Sequence, residues 1–203
     1  TMIDTLITGL AIVTPPAAEP VTLAEMKSHL RYTGSGEDDL INDLITAARE
    51  QCELQCGRAF VTQTLRWSLS GWPESGVIRL PRPPLASVTS ITYTDSDGDA
   101  QTMPGADYAV YPDAEPGRVV VAVGAGWPTE SLQAGLPIRV TYVAGYGAAE
   151  AVPTRYKQAI KLLTGHWWLH REAVVLSGSQ QLAELPMAVG NLLGIEQIFG
   201  WEL

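Results

Sequence analysis

The sequence has only two cysteines in 203 residues, Cys52 and Cys56, which lie one helical turn apart. A disulfide within a helix at that spacing has awkward geometry, so the scarcity of cysteine indicates a reducing compartment rather than a disulfide framework. Basic residues are also few, because 13 Lys and Arg stand against 22 Asp and Glu and give a formal net charge of −9. This acidic balance disfavours a sequence-independent nucleic-acid binder, whose affinity depends on Lys and Arg displacing counterions.

Long apolar runs and catalytic motifs are also missing. The mildly apolar run at residues 6–13 is too short to span a membrane, and no basic residue precedes it as in a signal peptide. No Walker motif or G-x-S-x-G elbow occurs, and His29 has no Ser or Cys neighbour that resembles a nucleophile. The sequence therefore predicts a protein that is not an enzyme, needs no cofactor and has no membrane segment.

The composition otherwise fits a folded protein of ordinary size. Apolar residues make up 46% of the chain and charged residues 17%, which is typical of a globular protein and excludes wholesale disorder. A chain of 203 residues forms one domain, or a domain with a subdomain, and is long enough to bury a hydrophobic core.

The stretch at residues 36–56 is the clearest helix. Its apolar residues recur every three to four positions, which places them on one face. Acidic residues occupy the first turn, where the helix dipole favours negative charge, and Gly57 follows at a common C-cap position. Because an isolated helix of this length is marginal in water, the apolar face must pack against a partner. That face comprises Leu40, Ile41, Leu44, Ile45, Ala48 and Cys52.

Three further helices are predicted. Thr22 and Glu25 form a capping box that starts a short helix near the N-terminus. A second long helix at residues 154–171 carries its own apolar face, so it is the expected partner of the 36–56 helix. Apolar residues at helical spacing near the end of the chain predict a C-terminal helix.

Between the two long helices the apolar period changes to two, which predicts short strands. Gly and Pro turns separate these strands, so a small antiparallel sheet or sandwich is expected. The sequence thus predicts an α+β fold in which a helical body carries an antiparallel β insertion. We expect an N-terminal arm at residues 1–20, a helical body at 21–61 and 153–172, the β insertion at 62–152, and a mobile loop with a C-terminal anchoring segment at 173–203.

The acidic residues around Gly98 resemble a calcium loop. Asp95, Asp97 and Asp99 supply suitable oxygen atoms, but the EF-hand loop requires its glycine and its glutamate at other positions. A β-hairpin turn at Asp97-Gly98 explains the same residues more simply. We therefore predict a turn and no calcium site.

Two cysteines and two histidines resemble a zinc ligand set. Cys52 and Cys56 share one helix face, and His166 and His170 share another. If the long helices pack antiparallel, the two pairs lie roughly 15–20 Å apart at a rise of 1.5 Å per residue. We therefore predict core residues and no metal site at these positions.

The last nineteen residues are rich in large apolar side chains, and a predicted loop at 173–184 precedes them. They either dock onto the core of their own chain or anchor in a groove on another chain, and spacing alone leaves both alternatives open. The candidate anchor residues are Leu185, Pro186, Met187, Val189, Leu192, Leu193, Ile198, Phe199 and Trp201.

Several short segments occur along the chain in an order that is more specific than any one of them. They are PVTLAE at 20–25, the helix residues at 39–49, GR at 57–58, TQT at 62–64, LPRPPL at 80–85, DG at 97–98, YVAGYG at 142–147, LP at 185–186 and LL at 192–193. This order, which covers most of residues 20–195, resembles the head–tail connector (head-completion adaptor) family of tailed bacteriophages, prophages and gene transfer agents.

The resemblance implies a virion structural protein that forms a ring, with twelve as the expected number of subunits. The ring would join the capsid portal to the tail and enclose the DNA channel, and the C-terminal segment would grip the portal. The implied partners are other copies of the chain, the portal protein and a tail-proximal connector or stopper protein. DNA would pass without specific binding, which fits the acidic balance. The implied location is the head–tail interface of a virion or phage-like particle, after assembly in the cytoplasm of a host bacterium.

A function of a different class is a small-ligand or carbohydrate-binding module carried by the β insertion. Trp67, Trp72 and Trp127 would supply its stacking surface, although an aromatic core is the simpler interpretation. An enzyme is the least favoured class, because the sequence shows no nucleophile or acid–base set.

Overall fold

The structure, a computed structural model, describes residues 8–170 and 187–194 and contains α-helices, β-strands and short 3₁₀ turns there. The chain divides into two compact units. Among the described residues, the β unit comprises 8–17 and 62–146, and the helical unit comprises 18–61, 147–170 and 187–194.

Local sequence signals mark the start of the first helix and the end of the first long helix. The predicted capping box is confirmed, because Glu25 N donates to Thr22 Oγ1 at 3.2 Å and Thr22 N donates to Glu25 Oε2 at 2.9 Å. Gly57 ends the first long helix with a φ of 68°, which favours glycine. No helix in the described ranges is long and apolar enough to cross a membrane. The helices are α1 (Leu23–Leu30), α2 (Asp38–Cys56), α3 (Thr154–Leu169) and α4 (Met187–Gly194).

The two long helices, α2 and α3, pack against each other as the sequence predicts, and α4 contacts both of them. Leu40 and Leu44 lie at the margin of the apolar face of α2, because the first is exposed and the second only half-buried. Each large aliphatic side chain that is fully buried contributes about 1.5–3 kcal/mol before opposing terms. The buried apolar residues of α2 are Ile41, Ile45, Ala48, Cys52 and Cys56.

Two antiparallel sheets form the β unit. Its strands are β1 (Thr8–Thr14), β2 (Gln63–Leu69), β3 (Val77–Leu80), β4 (Leu85–Thr94), β5 (Ala100–Thr102), β6 (Tyr108–Tyr111), β7 (Gly117–Val121) and β8 (Ile138–Ala144). The larger sheet has the order β1-β2-β8-β4-β5, and the smaller sheet has the order β3-β7-β6.

The predicted fold class is wrong, because the strands are not one insertion between the helices of a helical body. β1 precedes α1 in the chain, within the segment predicted as an arm, yet it pairs with β2 so that Thr8 lies opposite Leu69. Such pairing joins segments that are distant in sequence, and no local pattern specifies so distant a partner. The fold is a mixed one, in which two antiparallel sheets use strands from both sides of α1 and α2.

The core face of the larger sheet is built from alternate residues of its central strands. Trp67, Val140 and Ile91 lie opposite one another across β2, β8 and β4. Beside them, Tyr142 is fully buried, and its hydroxyl donates to the Pro81 carbonyl oxygen at 2.7 Å. Burial raises the pKa of the Tyr142 hydroxyl, so this group stays protonated and keeps its donor role.

Gly117 in β7 marks a close approach between the two sheets. An alanine Cβ at this position would lie 2.5 Å from the Cβ of Leu85 and 2.7 Å from its Cδ2. A Cβ cannot rotate out of the way, so the backbone itself would have to move.

We expect Gly117→Ala to lower the free energy of unfolding by about 1–3 kcal/mol, the usual effect of overpacking a core. Urea denaturation followed by tryptophan fluorescence measures the change. Gly126→Ala is the matched control, because no atom lies within 4 Å of its added Cβ. Equal stability of the two variants would contradict the close approach.

Candidate functional site

The structure describes part of the predicted portal-binding segment. Val189 and Leu193 of α4 are 0% and 1% exposed, and Leu192 is half-buried. Because α4 contacts α2 and α3, the two buried side chains belong to the core of the helical unit. Met187 begins α4, whereas Leu185, Pro186, Ile198, Phe199 and Trp201 lie outside the described residues. Portal binding by this segment stays a prediction.

An open cavity of about 420 Å³ lies beside α4 within the helical unit. One of its walls is formed by Trp168, whose ring contacts the Tyr32 ring edge-on with centroids 5.4 Å apart. Among the described residues, the lining offers two imidazoles and no carboxylate or thiol. The lining residues are His29, Leu30, Leu162, Gly165, His166, Trp168, Leu169 and Ala188.

The cysteines and histidines considered as zinc ligands have other surroundings. Cys52 and Cys56 are buried free thiols on α2, and burial, with a smaller effect of Cys56, raises the pKa of Cys52 to about 12. Such a thiol stays protonated at neutral pH, whereas metals bind the thiolate. His166 and His170 stack on each other with ring centroids 4.7 Å apart. Within residues 8–170 and 187–194, no group of three or more His, Cys, Asp or Glu is placed to hold a metal ion.

The predicted hairpin turn at Asp97-Gly98 is confirmed, and it joins β4 to β5. Asp95 Oδ1 accepts hydrogen bonds from the backbone N of Asp97 at 3.1 Å and of Asp99 at 2.9 Å. Its Oδ2 accepts from Gln101 Nε2 at 3.2 Å. The hydrogen bond from Gln101 and the backbone bonds hold the pKa of Asp95 below its usual value. The carboxylate therefore organises the turn.

Two of the three tryptophans proposed as a stacking surface contact each other. Trp72 and Trp127 are stacked with ring centroids 4.9 Å apart, and Tyr93 meets Trp72 edge-on at 5.7 Å. Trp127 Nε1 donates to the Pro73 carbonyl oxygen at 3.0 Å. Trp67 is half-buried in β2, where it lies opposite Val140 of β8. These contacts make Trp72 and Trp127 part of an aromatic cluster in the β unit.

A buried ionic network on α2, which we call the Arg49 network, was not predicted from the sequence. Arg49 and Glu53 are 4% and 3% exposed, and their side chains meet at 3.0 Å. Arg49 Nε also donates to Glu19 at 2.8 Å, and Glu53 Oε1 accepts from the backbone N of Phe60 at 2.7 Å. The network therefore connects α2 to the chain before α1 and to the turn after α2.

The charge of Arg49 is secured by its neighbours. Burial by itself lowers the pKa of the guanidinium, but hydrogen bonding to Glu19 and the charges of Glu19, Glu53 and Glu50 outweigh that effect and raise it. The spacing of Arg49 and Glu53 is that of an ordinary surface pair on a helix. Arg49 follows Ala48 and Glu53 follows Cys52, and both preceding residues are on the buried face of α2. These neighbours in the sequence are the signal that could have indicated an internal ion pair.

The chain also matches a known family. Residues 20–100 fit the family model described as phage gp6-like head-tail connector protein. The predicted resemblance to the head–tail connector family is confirmed. The matched range contains α1, α2 and the strands from β2 to β4, so the connector pattern extends over parts of both units.

Solved structures share the fold over nearly the whole chain. A chain in the virion of a native gene transfer agent particle is 25% identical, with a TM-score of 0.74, and the match covers 93% of this chain and 94% of that one. Two neck structures share the fold with the same TM-score of 0.74 and the same 93% coverage of this chain. One is the neck of an empty particle computed with C6 symmetry, 23% identical with 95% of that chain covered. The other is the neck of a native particle computed with C12 symmetry, 24% identical with 94% covered. No curated protein matches the chain significantly.

Proposed function

We propose that the chain is a structural subunit of a head–tail connector, which joins the capsid portal to the tail and encloses the DNA channel. The observation that carries this proposal is the fold, which matches a chain of a gene transfer agent virion over 93% of its length. The fit of residues 20–100 to the connector family supports it independently. The subunit would be assembled in the cytoplasm of a host bacterium and reside at the head–tail interface of a virion or phage-like particle.

The proposed assembly is a ring of twelve copies. The C12 and C6 symmetries of the two similar neck structures support a cyclic arrangement, since copies around such an axis form a closed ring. The net charge of −9 supports a channel through which DNA slides, because phosphate binding depends on Lys and Arg.

The portal protein is the proposed partner on the head side, and a tail-proximal connector or stopper protein is the proposed partner on the other side. Because Val189 and Leu193 fill the core of the helical unit, we assign them to holding α4 in place. The portal contact would then be made by the other residues of the predicted anchor, which are Leu185, Pro186, Met187, Leu192, Ile198, Phe199 and Trp201.

Deletion of residues 195–203 should greatly weaken capture of the portal protein and leave the fold intact, because it removes Ile198, Phe199 and Trp201 of the proposed anchor. The deleted residues follow α4, so Val189 and Leu193 keep their places in the core. Capture on immobilised portal protein of the same particle measures binding, and circular dichroism at 222 nm measures the thermal transition. Particles assembled with the truncated chain should accumulate as heads without tails.

Deletion of residues 187–203 is the matched comparison, because it also removes two buried side chains. This longer deletion should lower the melting temperature, whereas the shorter one should not. A chain without residues 195–203 that binds the portal as tightly as the full chain would show that Ile198, Phe199 and Trp201 are not part of the anchor.

We infer a structural role and not a catalytic one. The similar proteins are a connector family and chains of virion structures. A ligand-binding module gains no support from the tryptophans, since Trp72 and Trp127 stack on each other.

A further inference from the structure

β1 forms one edge of the larger sheet, and among the described residues no strand pairs with its outer side. Leu10 and Ile12 lie on the core face of this sheet, because Ile12 is opposite Leu65 and Leu10 is two residues away. They are nevertheless 38% and 58% exposed, whereas Leu65 and its neighbour Tyr142 in β8 are 1% and 0% exposed. The core face is therefore covered at the centre of the sheet and uncovered at β1.

This edge has few of the features that protect free strands from pairing. The sequence of β1, TGLAIVT, contains no charge and no proline. A register irregularity beside Val13, followed by Pro15 and Pro16, ends the pairing only at the C-terminal end of the strand. An edge that is long, apolar and uncharged presents unpaired backbone groups together with apolar side chains, which is what another strand requires.

The opposite edge of the same sheet is β5, and it is also open. Met103 N donates to the Ile91 carbonyl oxygen of β4 at 2.9 Å, which fixes the alternation of hydrogen-bonding groups along β5. In an antiparallel pair successive residues face alternate sides, so the N–H and C=O groups of Ala100 and Thr102 point away from the sheet. The whole of β5 is exposed.

We propose that β1 of one subunit pairs with β5 of the next subunit, so that the larger sheets of neighbouring copies join edge to edge. A closed ring requires a head-to-tail contact, in which each subunit presents two different surfaces. β1 and β5 meet that requirement, because they are the two ends of one sheet. This inference rests on the proposed connector ring and adds the strands that form its contacts.

Ile12→Lys should remove the ring species. The side chain is more than half exposed, so the subunit still folds, but the new charge would be buried in the joined edge. Val123→Lys is the matched control, because Val123 is a fully exposed apolar residue of the same unit outside any strand. Mass photometry of each variant, with and without the portal protein, gives the distribution of oligomers, and the control should match the unsubstituted chain.

Thr102→Pro tests the other edge, because it deletes an N–H group that points outward from β5 and leaves the bonds to β4 in place. Neither variant should associate alone, but their mixture should form heterodimers. Each Ile12→Lys subunit keeps an intact β5, and each Thr102→Pro subunit keeps an intact β1.

Three results would overturn the inference. The first is that Ile12→Lys still forms rings. The second is that Thr102→Pro still associates with itself through β1. The third is that the unsubstituted chain stays monomeric both with and without portal protein. Capture by the portal is scored separately in each case. If the portal still captures the chain and any of these results is found, the strand pairing is rejected but the connector function is kept. If the portal does not capture the unsubstituted chain, the connector function itself is rejected.

Discussion

Glu53→Ala is expected to lower the free energy of unfolding by about 3–5 kcal/mol, the usual cost of breaking a buried ion pair from one side. The substitution leaves the guanidinium of Arg49 only 4% exposed and without its closest buried carboxylate. It also removes the acceptor of the Phe60 backbone N–H, which lies 2.7 Å from Glu53 Oε1. A buried donor that loses its acceptor keeps its full desolvation penalty.

Glu50→Ala is the matched control for this experiment. Glu50 also contacts Arg49, at 3.5 Å, but its side chain is 64% exposed. Exposed ion pairs contribute about 0–1 kcal/mol, so its removal should change stability by no more than that amount. Urea denaturation followed by circular dichroism at 222 nm reports on the helical unit. Similar losses for the two variants would show that burial does not decide the strength of the Arg49 network.

Tyr156→Ala is expected to cost a similar amount, about 3–5 kcal/mol, because it removes a large aromatic side chain from the core. Tyr156 is 1% exposed at the start of α3, and its ring stacks on Phe60 with centroids 4.5 Å apart. The guanidinium of Arg155 lies 4.7 Å from the centre of the same ring. The substitution would leave a cavity beside Phe60.

Tyr156→Phe separates the ring from its hydroxyl. This variant keeps the stack on Phe60 and loses the hydrogen bond that Arg155 Nη2 donates to the hydroxyl at 3.2 Å. One such bond contributes about 0.5–1.5 kcal/mol, so the loss should be well below that of the alanine variant. The same urea denaturation compares the two, and equal losses would mean that the hydroxyl and not the ring stabilises the helical unit.

The helices were predictable because their signals are local. Each signal lies in or next to the helix that it specifies. Examples are the capping box at the start of α1 (Thr22 and Glu25), the apolar stripe of α2, and Gly57 at the end of α2. The hairpin at Gly98 is equally local. The apolar periodicity of α2 does not predict how deeply each side chain is buried. Leu44 and Ile45 are adjacent in the stripe, but only Ile45 is fully buried.

β1 was not predictable in the same way, because its partner is distant in the chain. Its residues precede a pair of prolines and lack a polar alternation, so they match an extended arm as well as a strand. The register that opposes Thr8 and Leu69 brings together two segments with α1 and α2 between them. A pairing of this kind depends on the whole fold.

The Arg49 network and the C-terminal helix illustrate the same limit. Glu19 lies 30 residues from Arg49, and nothing in the local spacing links the two. The sequence left two alternatives open for the C-terminal residues, and the structure describes only α4 among them. There Val189 and Leu193 pack within their own unit.

The order of strands along the chain also constrains how the protein is made. β1 is synthesised first, but β8, which completes the centre of its sheet, ends at Ala144, and 144 − 14 = 130 residues separate that point from Thr14. At ~5–20 residues per second, a ribosome needs about 6–26 s to cover this distance. α2 likewise waits for α3, which ends at Leu169. β2, the partner of β1, is complete at Leu69, so these two strands can pair early, but their sheet stays incomplete until β8 has been made.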